Sequence, residues 1–145
     1  MLSKEELTEF LKSEFPQTKC SVDKVGNRGA SVRHKVGVDE LRPGGTVSGP
    51  VMMATADVAL YIAILGEIGL VPLVATTSLT INFLRKPSSK KDIIGKCSLI
   101  KVGRSLVVGE VTLYSDGEVE PIAHVVGTYS IPPQRSQQEP HQVKR

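Results

Sequence analysis

Pro50-Val51-Met52-Met53-Ala54-Thr55-Ala56-Asp57-Val58-Ala59-Leu60-Tyr61-Ile62-Ala63-Ile64-Leu65 is the stretch that decides the fold. From Val51 to Leu65 it is apolar nearly all round and rich in Ala, Met and Leu, and Gly66 and Gly69 close it, with Pro72 beyond. Those residues favour helix, and a Pro in the first turn costs nothing because the N–H it lacks has no acceptor inside the helix. A helix without a polar face has to be covered on several sides. A bilayer would cover it too, but the uninterrupted stretch before Gly66-Glu67 is only ~16 residues where about 20 are needed, and it carries Asp57 near its centre. The expectation is a buried helix and no membrane.

The cover lies downstream. After Pro72 the apolar period changes to two, and Val74–Leu84, Ile93–Val102, Ser105–Tyr114 and Ile122–Ile131 each predict a β-strand. Lys86-Pro87-Ser88-Ser89-Lys90-Lys91, Gly103-Arg104 and Asp116-Gly117 separate them. A meander of these strands is long enough to curl around the helix. Upstream, Arg42-Pro43-Gly44-Gly45-Thr46-Val47-Ser48-Gly49-Pro50 is the densest turn signal, and Cys20 to Val36 alternates about Gly26-Asn27-Arg28-Gly29 as a hairpin does. Ser3 and Glu6 have capping-box spacing, and Leu7, Phe10 and Leu11 follow at helical intervals up to Phe15-Pro16. The whole predicts an α+β fold, a long central helix wrapped by a curved antiparallel β-sheet. Residues 1–131 form one domain with an N-terminal helix over 3–15, and 132–145 read as a disordered polar tail.

With 145 residues, 40% hydrophobic and 23% charged, the chain is one soluble domain. Its net charge is +3, but Arg135, Lys144 and Arg145 against Glu139 put +2 of that in the tail, which leaves +1 for the rest. Three Tyr, three Phe and no Trp give no stacking platform. A nucleic-acid partner is therefore not expected. Cys20 and Cys97 have no metal-ligand spacing and read as reduced structural thiols. With no apolar run in Met1–Glu6, a cytoplasmic location is expected. There is no P-loop, GxGxxG or metal motif, and no cofactor is expected. His34, His124 and His141 lack an acid or Ser partner at triad spacing.

Between Arg42 and Arg85 the charged residues are Asp57 and Glu67, and Glu67 sits where the helix ends. Asp57 is flanked by Met53, Ala54, Leu60 and Tyr61, and an ionised carboxylate is costly to bury unpaired. It is a structural acid bonded to a neighbour, an acid on an exposed stripe, or a functional group.

Gly45-Thr46-Val47-Ser48-Gly49-Pro50 followed by Asp57-Val58-Ala59 resembles the signature of PaaI-type hotdog-fold acyl-CoA thioesterases, Asn-x-x-Gly-Thr-x-His-Gly-Gly and then a helix bearing Asp. Thr80–Pro87, Val102–Val111 and Gly127-Thr128-Tyr129 resemble the strands that follow in that family, so the likeness runs over residues 35–131. Here Arg42 stands for the family's Asn, Ser48 for its His and Pro50 for its second Gly, while Gly49 and Asp57 are kept.

The resemblance implies hydrolysis of an acyl- or aryl-CoA to free acid and CoA, with no metal or redox cofactor. It makes Asp57 the general base or nucleophile and the Gly49 N–H the oxyanion donor. Ser48 is either a polar replacement for the His or only the turn residue before the helix. Thr76, with Thr77 one position away, is either the hydroxyl that positions water or an ordinary strand Thr. Arg85 and Lys86, in a basic cluster with Lys90 and Lys91, are expected on coenzyme A phosphates, and Arg42 at the mouth of the site. Val51, Met53 and Tyr61, beside Asp57, are expected to line the acyl pocket. Gly49 and Asp57 are eight residues apart, about 12 Å along a helix, so one carbonyl can hardly reach both within a subunit. A homodimer or homotetramer sharing its sites is expected. The alternative is a non-catalytic hotdog protein that binds acyl-CoA or a related ligand, and a hotdog dehydratase ranks last for want of a His in the turn.

Overall fold

The structure, a computed structural model, describes residues 1–71 and 73–133. The tail predicted from 132 onward, with His141, lies outside the described residues except for Pro132 and Pro133. In chain order the elements are α1 (Lys4–Glu14), β1 (Cys20–Gly26), β2 (Gly29–His34), a 3-10 turn (Val38–Glu40), β3 (Leu41–Arg42), β4 (Thr46–Val47), α2 (Gly49–Ile68), β5 (Ala75–Phe83), β6 (Ile93–Val102), β7 (Leu106–Ser115) and β8 (Ala123–Ser130).

Local chemistry sets the boundaries. Ser3 and Glu6 make the reciprocal capping box that starts α1. Ser48 caps α2 by accepting from the Val51 N–H, Pro50 follows in the first turn, and Gly69 at φ 94° ends it in a conformation that a side chain would disfavour. Asn27 and Arg28, both at positive φ, turn β1 into β2 with the hand that suits a two-residue hairpin.

Six strands form one antiparallel sheet in the order β1-β2-β6-β7-β8-β5, and β3 and β4 pair separately. This corrects the expected meander: β6, β7 and β8 are consecutive, but β5 lies beyond β8 at the sheet edge, while β6 joins the hairpin. The link from Leu84 to Asp92 is long enough for that crossing. Alternation predicts each strand's inward face but carries no information about its neighbour.

The sheet curls around α2, whose Ala56, Ala59, Leu60 and Ile64 are fully buried. By length and composition α2 could cross a membrane, but the sheet already covers its apolar face. The cover is incomplete on one side, where Pro50, Met53 and Ala54 remain exposed. Close approach elsewhere depends on glycine. Gly109 and Gly127 are register partners beneath Leu60, and a Cβ on either would come within 2.7 Å or 2.5 Å of a Leu60 methyl.

Gly127→Ala is therefore expected to cost about 1–3 kcal/mol by overpacking. Gly37→Ala, where the nearest atom is 3.6 Å away on a side chain and φ is −136°, should stay within about 0.5 kcal/mol. Denaturant titration of the two variants beside wild type checks the contrast.

Candidate active site

Two cavities lie at opposite ends of β5. The first, of about 320 Å³, is lined by Asp57 and Tyr61 of α2, Thr76 of β5, Tyr129 of β8 and Leu11 and Phe15 at the end of α1. The second, of about 430 Å³, is lined by Arg42, Gly49, Met52, Phe83, Arg85 and Lys86. The first is mainly apolar with one carboxylate. The second gathers three cations around a helix N-terminus.

Asp57 is half-buried, at the border between the covered and open faces of α2. Its Oδ1 accepts from Tyr129 OH at 2.6 Å and from Thr76 Oγ1 at 2.9 Å. Among the described residues none donates to Oδ2. The expectation that Met53, Ala54 and Leu60 bury the carboxylate is corrected: Met53 and Ala54 are exposed, and Leu60 is turned into the core over Gly109 and Gly127. Its neighbours are instead Val58, Tyr61 and residues of β5 and β8. A β-bulge between Thr76 and Ser78 separates the two threonines: Thr76 reaches Asp57, whereas Thr77 Oγ1 donates to the Thr128 carbonyl at 3.2 Å.

Tyr129 is a site residue that motif and spacing do not single out. It occupies the last inward position of β8, after Ala123, Val125 and Gly127, and is 3% exposed. A Tyr hydroxyl at an inward strand position needs a polar partner, and that is the signal available in the sequence. Burial and then the Asp57 charge push the phenol well above its ordinary value, so it remains a donor at any working pH. Phe15 reads in the sequence only as a helix end, yet its ring lies 5.7 Å from Tyr61, edge to face, and walls the first cavity.

At the other cavity, the Gly49 N–H has no acceptor among the described residues, Pro50 has no N–H, and the Val51 N–H goes to Ser48 Oγ at 3.4 Å. Ser48 is thus the N-cap, and the N-terminus of α2 presents one free donor at its positive end. The Phe83 ring packs against Gly49, where an added Cβ would meet it at 3.2 Å. Arg85 also pairs with Glu120 at 3.4 Å on the surface, and Lys91 with Glu118, away from the cavity. Val51 packs on the core and Met53 on the open stripe, so neither lines a cavity in the single chain.

The loop before Gly49 is clamped by Glu40, which is 5% exposed. Its carboxylate takes Lys19 Nζ at 2.7 Å and the Gly37 N–H at 2.7 Å, and its own carbonyl accepts from the Ser48 N–H at 3.0 Å. The Lys19 ammonium, more than the Gly37 N–H, holds the Glu40 carboxyl below its ordinary value. The thiols are inert by contrast, since burial pushes Cys20 to about 11 and Cys97 to about 12. His124 bonds Glu110 at 2.8 Å across neighbouring strands, and neither residue lines a cavity named above.

A carboxylate beside an apolar cavity, and a free backbone donor among cations, are the parts that acyl transfer uses. The sequence profile of the Thioesterase superfamily matches residues 44–122, which hold Gly49, Asp57, Thr76 and Arg85. The chain is similar, at 41% identity and a TM-score of 0.85, to a Silicibacter sp. TM1040 protein assigned as a thioesterase, over 92% of this chain and 94% of that one. The zebra fish thioesterase superfamily member 2 shares the fold at 20% identity and a TM-score of 0.80, over 91% and 100%. A point mutant of the phenylacetic acid degradation protein PaaI from Thermus thermophilus shares it at 19% and 0.70, over 86% and 99%. No curated protein matches in sequence. The fold and site define a hotdog thioester hydrolase, α2 being the filling and the six strands the wrap. This chain belongs to the Thioesterase superfamily.

Glu40→Gln should lower Tm at pH 7, because a neutral amide cannot replace the ion pair. The gap from wild type should be full above Glu40's ordinary value of 4.5 and close as pH falls through the lower folded value, where the wild-type carboxyl also becomes neutral. Calorimetry from pH 7 to pH 3 reads it.

Proposed function

We propose that the protein hydrolyses acyl-CoA thioesters at a site shared between two subunits, with Asp57 of one and the Gly49 N–H of the other. The observation that carries this is the placing of the two cavities at opposite ends of an uncovered edge strand. β5 pairs with β8 on one side and is exposed along most of its length on the other, Phe83 being 53% exposed. The opposite edge, β1, is packed by α1. Two copies of β5 laid antiparallel about a two-fold axis would set the Thr76 end of each beside the Phe83 end of the other. The Asp57 cavity of one subunit then adjoins the Gly49 cavity of its partner.

In that arrangement the acyl group enters the apolar cavity, and the coenzyme A phosphates meet Arg42, Arg85 and Lys86. Asp57 Oδ2 takes a proton from water as the water oxygen attacks the thioester carbonyl carbon. The developing oxyanion accepts from the Gly49 N–H, which the helix dipole reinforces. The C–S bond then breaks, and the proton on Asp57 passes to the departing sulfur. The product is a free acid and CoA. Two buried free thiols suit a reducing compartment, and we place the protein in the cytoplasm.

Thiol release from short, medium, long and aromatic acyl-CoAs tests the reading. Asp57→Asn should lower turnover by about 10²–10⁴-fold. Gly49→Pro removes the oxyanion N–H at a position where helices accept Pro, and should cost about 10²–10³-fold. Mixing the two inactive variants should restore about a quarter of the wild-type sites, since half the dimers are mixed and each has one intact site. Mixed dimers without activity would place both groups in one subunit's site.

A further inference from the structure

Asp57 receives two hydroxyls from two different strands, and the two are not equivalent. Thr76 sits on the edge strand β5, exposed in the single chain, and its hydroxyl donates to Asp57 Oδ1 at 2.9 Å. Tyr129 is buried on β8, its hydroxyl donates at 2.6 Å to Asp57 Oδ1, and it lies 3.2 Å from the Asp57 carbonyl. The Tyr129 ring stacks on Tyr61 at 6.2 Å and faces the first cavity. One side chain therefore forms part of the proposed acyl pocket and holds the carboxylate beside it.

We propose that Tyr129 is the positioning residue of the base, fixing Asp57 through Oδ1 so that Oδ2 is the oxygen offered to water. The proposal rests on the reading of Asp57 as the base. An aspartate on a helix turns about two side-chain bonds, and a carboxylate free to rotate would present either oxygen in several directions. A short, charge-assisted bond from a phenol buried within its own subunit selects one of them, and at 2.6 Å it is shorter than the 2.9 Å bond from Thr76. The hydroxyl's second contact, to the Asp57 carbonyl, ties the same residue's backbone to β8. The carboxylate is thus fixed relative to the sheet rather than only to its own helix. Because Tyr129 belongs to the same subunit as Asp57, this holding is complete before any partner or substrate arrives.

Tyr129→Phe keeps the ring and the packing and removes one oxygen. The expected result is a kcat lower by about 10–10²-fold, the usual penalty for a misplaced catalytic group, with KM within about twofold because the pocket wall is intact. In an Asp57→Asn background the same change should cost nothing further, since the two residues act as a unit. Unchanged kcat in Tyr129→Phe, or an equal loss in both backgrounds, overturns the positioning role while leaving the thioesterase reading standing. If folded wild type releases no thiol from any ester, the reading itself fails, and this proposal with it.

A second measurement needs no turnover. Wild type should show a slowly exchanging, downfield tyrosine hydroxyl proton by NMR, lost in Tyr129→Phe and displaced in Asp57→Asn. Absence of that proton from wild type, or its indifference to Asp57→Asn, also overturns the assignment.

Discussion

The close seating of α2 on a sheet lined by glycines is the constraint on which the rest depends. Leu60 rests over Gly109 and Gly127, and Gly95 lies under Thr55 and Ala59. Without a Cβ at these positions the sheet backbone comes up against the helix and curves around it. A helix gripped that way cannot roll, so the residue three positions from Leu60 has a fixed address. Asp57 emerges at the border between sheet and open stripe, beside the inward ends of β5 and β8. A constraint of the fold thereby becomes a constraint on the carboxylate, because the bonds from Thr76 and Tyr129 are short only while the helix stays down.

Much of this is legible in the sequence, and the remainder is hidden for identifiable reasons. The α2 run, its Pro50 start and its Gly69 end follow from local chemistry, as do the hairpin and the four later strands, which the structure moves by only a residue or so at their ends. Neighbour order is a long-range property, and alternation along Ala75–Phe83 is the same in the middle of a sheet as at its edge. Met53 and Tyr61 are each four residues from Asp57, so helical spacing puts all three on one stripe. The stripe runs from the cavity at Tyr61 to the open surface at Met53, and no periodicity reveals where the cover stops. Tyr129 is 72 residues from Asp57. Its polar end at an inward position announces a need for a partner but cannot name one.

The Ser48-Gly49-Pro50 turn is a rearrangement of donors with its own logic. Ser48 absorbs the Val51 N–H, and Pro50 has none to give. The positive end of α2 therefore offers the Gly49 N–H alone in that first stretch. Glu40 supports the geometry from behind, since its carbonyl holds the Ser48 N–H and its carboxylate pins the preceding turn through Gly37 and Lys19. The turn is fastened by an ion pair whose Glu40 side is buried and whose Lys19 side is open to water, and in the proposed mechanism a donor held in place needs little reorganisation as charge develops.

The edge strand joins the two halves of the argument. Ala75-Thr76-Thr77-Ser78-Leu79-Thr80-Ile81-Asn82-Phe83-Leu84 has no charge and no proline, and among the described residues no helix shields its outer side. Exposed edges of this kind pair with other chains unless a charge, a bulge or a cover prevents it. The one bulge, at Thr76–Ser78, aims the Thr76 hydroxyl at Asp57 and leaves the rest of the strand regular. Beside the edge runs the uncovered stripe of α2 with Pro50, Met53 and Ala54, so the apolar helix and the unpaired strand make one continuous open surface. In the proposed dimer a second copy of the same surface would satisfy the strand and cover the stripe. It would also bring a free N–H to a carboxylate that lies about 12 Å along the helix from its own. What is incomplete about the fold and what is incomplete about the proposed site would then be met by the same partner.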